Sequence, residues 1–192
     1  MGETTDDALI AAFLGGDDRA FDRLVHRHEH RIYNLCYRML GRTEDARDTT
    51  QEVFVTVFRK LPSFRGDAAF ATWAHRIAVN ACYDSLRRRK RQPDPAVHAD
   101  NTPLDTRADE AADPADVAAD VVDVQRALEH VPEEFRVVLI LHDAQDVSYD
   151  DVARILEIPL GTVKSRLHRG RIALADALRG TPGTAKASER TR

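Results

Sequence analysis

The chain is short of the features that staple, flatten or anchor a protein. It has two cysteines, Cys36 and Cys82, in 192 residues. That excludes a disulfide framework and fits a reducing cytoplasm. Aromatic residues make up 6%, while Ala, Leu, Arg, Asp and Val are abundant, a balance that favours helices over sheets. No apolar run approaches the roughly 18 residues of a membrane span. The opening "MGETTDDALI" has no basic stretch followed by an apolar one, so no secretory signal is expected. Glycine-rich phosphate loops, a nucleophile elbow and paired catalytic carboxylates are also missing. No motif points to an enzyme.

The formal net charge of −4 argues at first against a nucleic-acid binder, but its distribution reverses that. Residues 93–124 hold nine acidic side chains and one base, Arg107, whereas residues 1–92 hold sixteen Lys/Arg against thirteen Asp/Glu. Residues 125–192 are also mildly basic, eleven against ten. The acidic middle, rich in Pro, Asp and Ala, reads as an extended linker between two basic units.

Helical periodicity fills both units. Asp6 to Leu14 is a short helix with Thr4 or Thr5 as its cap, and Asp17 to Leu40 a long one closed by Gly41. A third starts with Thr43 as its cap and is stopped by Pro62; it places Val53, Val57 and Leu61 on one face. The loop "PSFRGDAAF" leads to a fourth, Ala69 to Arg91. Further on, Val121 to His130 is helical, Pro132-Glu133-Glu134 starts another helix, and Ser148 with Asp151 resembles a capping box for "YDDVARIL". After the break "EIP" the last helix runs from Leu160 to Leu178, and the tail beyond reads as disordered.

Two helices carry unusual polar faces. In the last, Val163, Leu167, Gly170 and Leu174 form a packing stripe, and Ser165, His168 and Arg169 lie opposite with Thr162 and Lys164 on the flanks. A short helix, a tight turn and a second helix presenting such groups make a helix-turn-helix, whose second helix fits the major groove. In the fourth helix, Phe70, Ala74, Ile77, Ala78 and Ala81 form the expected core stripe. Trp73, Arg76, Asn80, Tyr83 and Arg87 cluster opposite, a row suited to unpaired bases: rings stack, Arg tracks phosphate and Asn reads a base edge. The run Arg87–Arg91 adds phosphate attraction, although cations also suit a helix C-terminus.

The third helix exposes Asp45, Asp48, Gln51, Glu52 and Val55. Such a patch is either solvated surface or a docking face with Val55 at its centre. His26 and His30 share a face, but two imidazoles make half a zinc site at most, and no metal is expected. His28 points the other way, towards the stripe of Phe21 and Ile32. Cys36 and Cys82 read as small buried hydrophobes.

With "DARDTTQEVFVTVFRKLPSFRGDAAFATWAHRIAVNACYDSLRRRKR" followed by "VPEEFRVVLILHDAQDVSYDDVARILEIPLGTVKSRLHRGRIALADAL", the chain resembles the extracytoplasmic-function (group 4) sigma factors of bacterial RNA polymerase, from about Asp6 to Leu178. The resemblance implies an all-α fold of two small helical domains joined by an extended acidic linker. Residues 1–92 would be sigma region 2, 93–120 the linker, 121–179 sigma region 4 with its helix-turn-helix, and 180–192 a tail.

By the same resemblance, Phe64, Arg65, Gly66, Asp67 and Phe70 of "FRGDAAF", with Asn80, would hold an unpaired base of the −10 element. Trp73, Arg76, Tyr83 and Arg87 would lie along the opened strand. Asp45, Asp48, Gln51, Glu52 and Val55 would dock on the β′ clamp coiled coil of core polymerase. Thr162, Lys164, Ser165, His168 and Arg169 would read the −35 element, with their domain on the β flap. The linker would run near the active-site cleft.

Lys164 and His168 depart from the Arg and the aromatic common at those positions, which implies a shifted −35 preference. An anti-sigma factor is the implied regulator; no cofactor and no small-molecule substrate are implied, nor a further C-terminal sensor domain. A stand-alone helix-turn-helix regulator explains only residues 133–178, and a metal or redox sensor only the histidines and cysteines.

Overall fold

The computed structural model describes residues 4–91 and 114–180. The interior of the expected linker, to residue 113, and the tail beyond residue 180 lie outside them. Eight α-helices occur among the described residues: α1 Asp6–Leu14, α2 Asp18–Leu40, α3 Thr43–Lys60, α4 Phe70–Arg91, α5 Pro114–His130, α6 Glu133–Leu139, α7 Tyr149–Leu156 and α8 Leu160–Gly180. No strand occurs among them.

Most helix ends follow from local chemistry. The Thr5 hydroxyl accepts the Ala8 N–H, and the Asp17 carboxylate accepts that of Arg19. Gly41 closes α2 at φ 78°, where a side chain would be strained. Ser148 accepts the Asp151 N–H and donates to its carboxylate, so the capping box forms as read. Pro62 marks the end of α3 as read: the helix stops at Lys60 and the proline sits in the 3-10 turn Leu61–Ser63, where its missing N–H is harmless. Two ends differ from expectation. Thr43 is the first helical residue of α3 rather than its cap; Arg42 holds the cap position with no side-chain bond. Finally, α5 starts at Pro114, seven residues inside the segment read as linker, because proline is favourable in a first helical turn.

Helices α1–α4 form one unit around Leu24, Ile32, Leu35, Met39, Val53, Val57 and Leu61. Each such side chain contributes roughly 1.5–3 kcal/mol by burial. The stripe of Val53, Val57 and Leu61 is fully buried, as the spacing requires. Helices α5–α8 form the second unit around Val137, Val138, Leu141, Val152, Val163 and Leu167. Gly170 brings α8 close to α6: a Cβ there would stand 3.0 Å from Leu139 Cγ. The two units also pack directly on each other, α4 against α7 and the C-terminal half of the long α2 against α5 and α6.

Candidate nucleic-acid interface

The helix-turn-helix comprises α7, the turn and α8. Its turn is made by Glu157 in the left-handed region at φ 53°, with Pro159 two residues on. Val163, Leu167 and Gly170 face inward and are buried; Leu174 is half-buried. Lys164, Ser165, His168 and Arg169 all stand exposed on the outer face, with Thr162 half-buried at its edge. The Ser165 hydroxyl is turned back on its own helix and donates to the Thr162 carbonyl at 3.0 Å. Flanking arginines are already paired, Arg166 with Glu134 at 3.0 Å and Arg171 with Asp143 at 2.7 Å. The groups turned towards a groove are therefore Lys164, His168 and Arg169, with Ser165 beside them on the outer face.

The face of α4 is built differently. The buried side chains are Phe70, Ala74, His75, Ala78, Val79, Cys82 and Leu86, so burial is turned away from the expected stripe; Ile77 and Ala81 are only half-buried. The reason is that α4 packs on α2 and α3 on one side and on α7 on another, and a helix pressed from two directions buries more than one stripe. Arg76, Asn80 and Arg87 are exposed as expected. Trp73 and Tyr83 are not: Trp73 lies 5.1 Å from Phe64 and 5.8 Å from Phe70 in an aromatic cluster, and both rings are half-buried. Phe70 is expected both in the core stripe and at the −10 site; at 2% exposure it is core, as the stripe reading has it, rather than contact surface. Its role is to carry Phe64 and Trp73.

Beside that cluster lies a cavity of about 270 Å³ lined by Phe64, Arg65, Gly66, Asp67, Trp73 and Arg76 among others. Gly66 at φ 75° supplies the sharp turn that folds the loop over it. The spacing of "FRGDAAF" thus does close into a concave site with aromatic and cationic walls. Arg154 and Ile155 of α7 complete it; sequence reading missed them, and no local signal marks them, because they arrive from the other unit. Under the site His75 is 3% exposed. Its Nδ1–H donates to the Ala71 carbonyl at 2.7 Å, and burial lowers its pKa below the ordinary 6.5.

On α3, Asp48, Gln51 and Glu52 are exposed, and so is Val55 at 43%. Asp45 is half-buried between Arg42 and Arg89, each at 3.7 Å, and Glu52 pairs with Arg88 at 3.1 Å. Phe58, one turn on and 50% exposed, extends the apolar centre and was not foreseen. The histidines split. His26 and His30 make local bonds to Glu29 and Asn34. His28 is buried beside Phe70 and bonds Asp6 at 2.9 Å. No cluster of three metal-ligating side chains occurs among the described residues. Cys36 and Cys82 are free and buried.

Residues 24–92 match the family model for Sigma-70 region 2, and residues 122–174 that for Sigma-70, region 4. The chain is 42% identical over 177 residues to the ECF RNA polymerase sigma factor SigM of Mycobacterium tuberculosis, covering 92% of this chain and 86% of that one. It is 36% identical over 189 residues to the RNA polymerase sigma-H factor of Pseudomonas aeruginosa, covering 93% and 96%. Among solved structures, the sigma factor RpoE from Bartonella quintana, in complex with the anti-sigma factor NepR, shares the fold. The TM-score is 0.68 at 23% identity, over 83% of this chain and 96% of that one. CnrH in complex with the cytosolic domain of CnrY aligns at a TM-score of 0.66 and 25% identity, over 91% and 97%.

Proposed function

The chain belongs to the extracytoplasmic-function sigma factors of the sigma-70 family, and from that premise we propose how its two units share promoter recognition. Members of this family are transcription initiation factors rather than enzymes, and this chain confers promoter specificity on RNA polymerase. In our reading α8 enters the major groove of the −35 element with Lys164, Ser165, His168 and Arg169 on the base edges and Thr162 at the rim. The cavity of Phe64, Arg65, Gly66, Asp67 and Trp73 takes a base extruded from the −10 element. Asn80 hydrogen-bonds that base, and Arg76, Tyr83 and Arg87 follow the separated strand.

The observation that carries this division is chemical. The α8 face is flat, exposed and polar, as groove reading needs, whereas the α4 side offers a concavity with rings and guanidinium groups, as an unpaired base needs. Core polymerase docks on Asp48, Gln51, Glu52 and Val55, with Asp45 holding Arg42 and Arg89 beside them; the β′ clamp coiled coil and the β flap are the intended surfaces. The work is done in the cytoplasm, where polymerase is, and an anti-sigma factor is the fitting antagonist. No described helix is long and apolar enough to cross a membrane. We assign residues 1–92 to −10 opening and 121–179 to −35 reading.

The test is transcription in vitro from a randomised promoter library by sigma-free core polymerase, with and without the chain. Start sites that depend on the chain, sharing one −35 and one −10 sequence, are the expected result. Tight duplex binding without polymerase, and no dependent transcripts, would instead make it a stand-alone regulator.

A further inference from the structure

The cavity beside α4 has a layered chemistry. Its less exposed walls are apolar: Phe64 and Trp73, with ring centres 5.1 Å apart, and the buried Ile155. Its mouth is cationic, since Arg65, Arg76 and Arg154 all line it and all stand exposed. Asp67 is the one carboxylate on its walls. Three guanidinium groups against one carboxylate leave a surplus of two positive charges around about 270 Å³. That volume lies near the lower end of small-ligand sites, about 300–1,000 Å³, of the order of one base and its sugar.

The guanidinium groups at that mouth are only loosely engaged. Arg65 has no hydrogen bond or ion pair among the described residues. Arg76 reaches Glu157 at 3.4 Å and Arg154 reaches Asp151 at 3.3 Å, both pairs partly exposed. Ion pairs of that kind are worth little. Other arginines are spent: Arg171 holds Asp143 through two bonds, and Arg136 is buried among backbone carbonyls. A phosphate group displaces weak surface carboxylates readily, because its oxygens accept from a guanidinium fork two at a time.

A second concavity of about 140 Å³ continues past Arg76, with Asn80 and Arg166 on its walls and Glu157 as its one carboxylate. The two share Arg76 and Ile155. Arg76 thus stands between a ring-walled compartment and a polar one, the order of base and then phosphate. Rings and guanidinium groups serve a base within DNA equally well. What a strand does not require is the far wall of Arg154 and Ile155 from α7. Enclosure on that side suits a small ligand.

We propose that the free chain binds a nucleoside 5′-triphosphate in this cavity. The base stacks on Phe64 and Trp73, Asp67 accepts from an exocyclic amino group, and Arg65, Arg76 and Arg154 hold the phosphates. The proposal rests on the reading of the cavity as a site for a base and gives it a second, soluble ligand. A nucleotide bound there and an extruded −10 base use the same rings, so each excludes the other.

Trp73 is the one tryptophan of the chain, so its emission reports on this cavity. The whole chain, without polymerase, is titrated with ATP while Trp73 fluorescence is excited at the red edge of its absorption, clear of the nucleotide. Saturable quenching is the expected result. Adenosine, which lacks phosphates, and tripolyphosphate, which lacks the base, should each bind at least about tenfold more weakly. Arg154→Ala should weaken ATP binding about tenfold, and Arg154→Lys should recover part of the loss; the residue is exposed, so the fold survives either change. Arg126→Ala, at an exposed arginine outside the cavity, should leave the affinity as it was. Absence of saturable quenching overturns the proposal. So does tripolyphosphate binding as tightly as ATP, or an equal loss in Arg154→Ala and Arg126→Ala, since either leaves only the attraction of anions to a basic surface. Permanganate reactivity of the −10 thymines, read on the wild-type chain with core polymerase and promoter, keeps the two readings apart. Normal reactivity without quenching removes the nucleotide and leaves the −10 assignment standing. Quenching in the stated ratios without reactivity removes the −10 assignment and keeps the nucleotide.

Discussion

The two helices proposed to face DNA are made on different plans. On α8 a narrow apolar stripe packs inward, and Lys164, Ser165, His168 and Arg169, the groups proposed for the groove, stand exposed on the outer face. On α4 the face proposed for the strand is partly buried, propped by the Phe64–Phe70–Trp73 cluster and overlain by α7. Duplex reading asks only that hydrogen-bonding groups be presented at a fixed spacing. Holding an unpaired base also requires a cavity with rigid walls, which one helix cannot supply. The difference matches the two forms of DNA that the proposed reading assigns to them.

The comparison breaks most sharply at Asn80. Asn80→Ala should lower promoter opening by one to two orders of magnitude, about 1–3 kcal/mol for a base-edge contact, while core binding and −35 affinity stay unchanged. Permanganate footprinting on the reconstituted holoenzyme measures it, and normal reactivity would remove Asn80 from the site. Arg169→Ala should act at the other element alone, with about 1–3 kcal/mol lost at one −35 base pair. A −35 mutant promoter series checks it; an unaltered preference would take Arg169 off the reading face.

Packing under the two helices gives smaller effects. Gly170→Ala gains about 1 kcal/mol of helix propensity, but its Cβ meets Leu139 at 3.0 Å and the Phe135 carbonyl at 3.3 Å. Overpacking of about 1–3 kcal/mol then leaves a net loss of about 1 kcal/mol, seen as a fall of a few degrees in melting temperature. The corresponding weakness under α4 is acid. Burial lowers the pKa of both His28 and His75, with Asp6 partly opposing it at His28. The unfolded chain therefore binds their protons first. The stability they contribute is present above the ordinary imidazole value of 6.5 and is lost as pH falls below it towards the lowered values. Melting followed from pH 7.5 down to about 5 should show this decline. His75→Asn should flatten it; an equal slope in that variant would mean the proton goes elsewhere.

Much of this design is legible in the chain. Thr5, Asp17, Gly41 and Ser148 announce their helix ends, and Val163, Leu167 and Gly170 announce the inner stripe of α8, because caps and periodicity depend on neighbours within one or two turns. Phe70 reads both as core stripe and as part of the −10 site, and it lies in the core. Ile77 and Ala81 read as core and are half-buried, while His75 and Val79 lie inside; Cys82 reads as buried and is so. A stripe calculation assumes one partner, and α4 has partners on two sides.

What the sequence determined by itself is the helical class, the order of the two units, the acidic segment between them and the chemistry of each face. All of these reside in local spacing and in charge counted along the chain. Which charges are free was decided only by the tertiary structure. Glu52 is taken by Arg88, Asp45 by Arg89, Arg76 by Glu157, and the carbonyls of α2 by Gln125 and Arg136. Those partners lie 36 to 97 residues apart, a separation at which no periodicity operates, and only the packing of the helices brings them within hydrogen-bond reach.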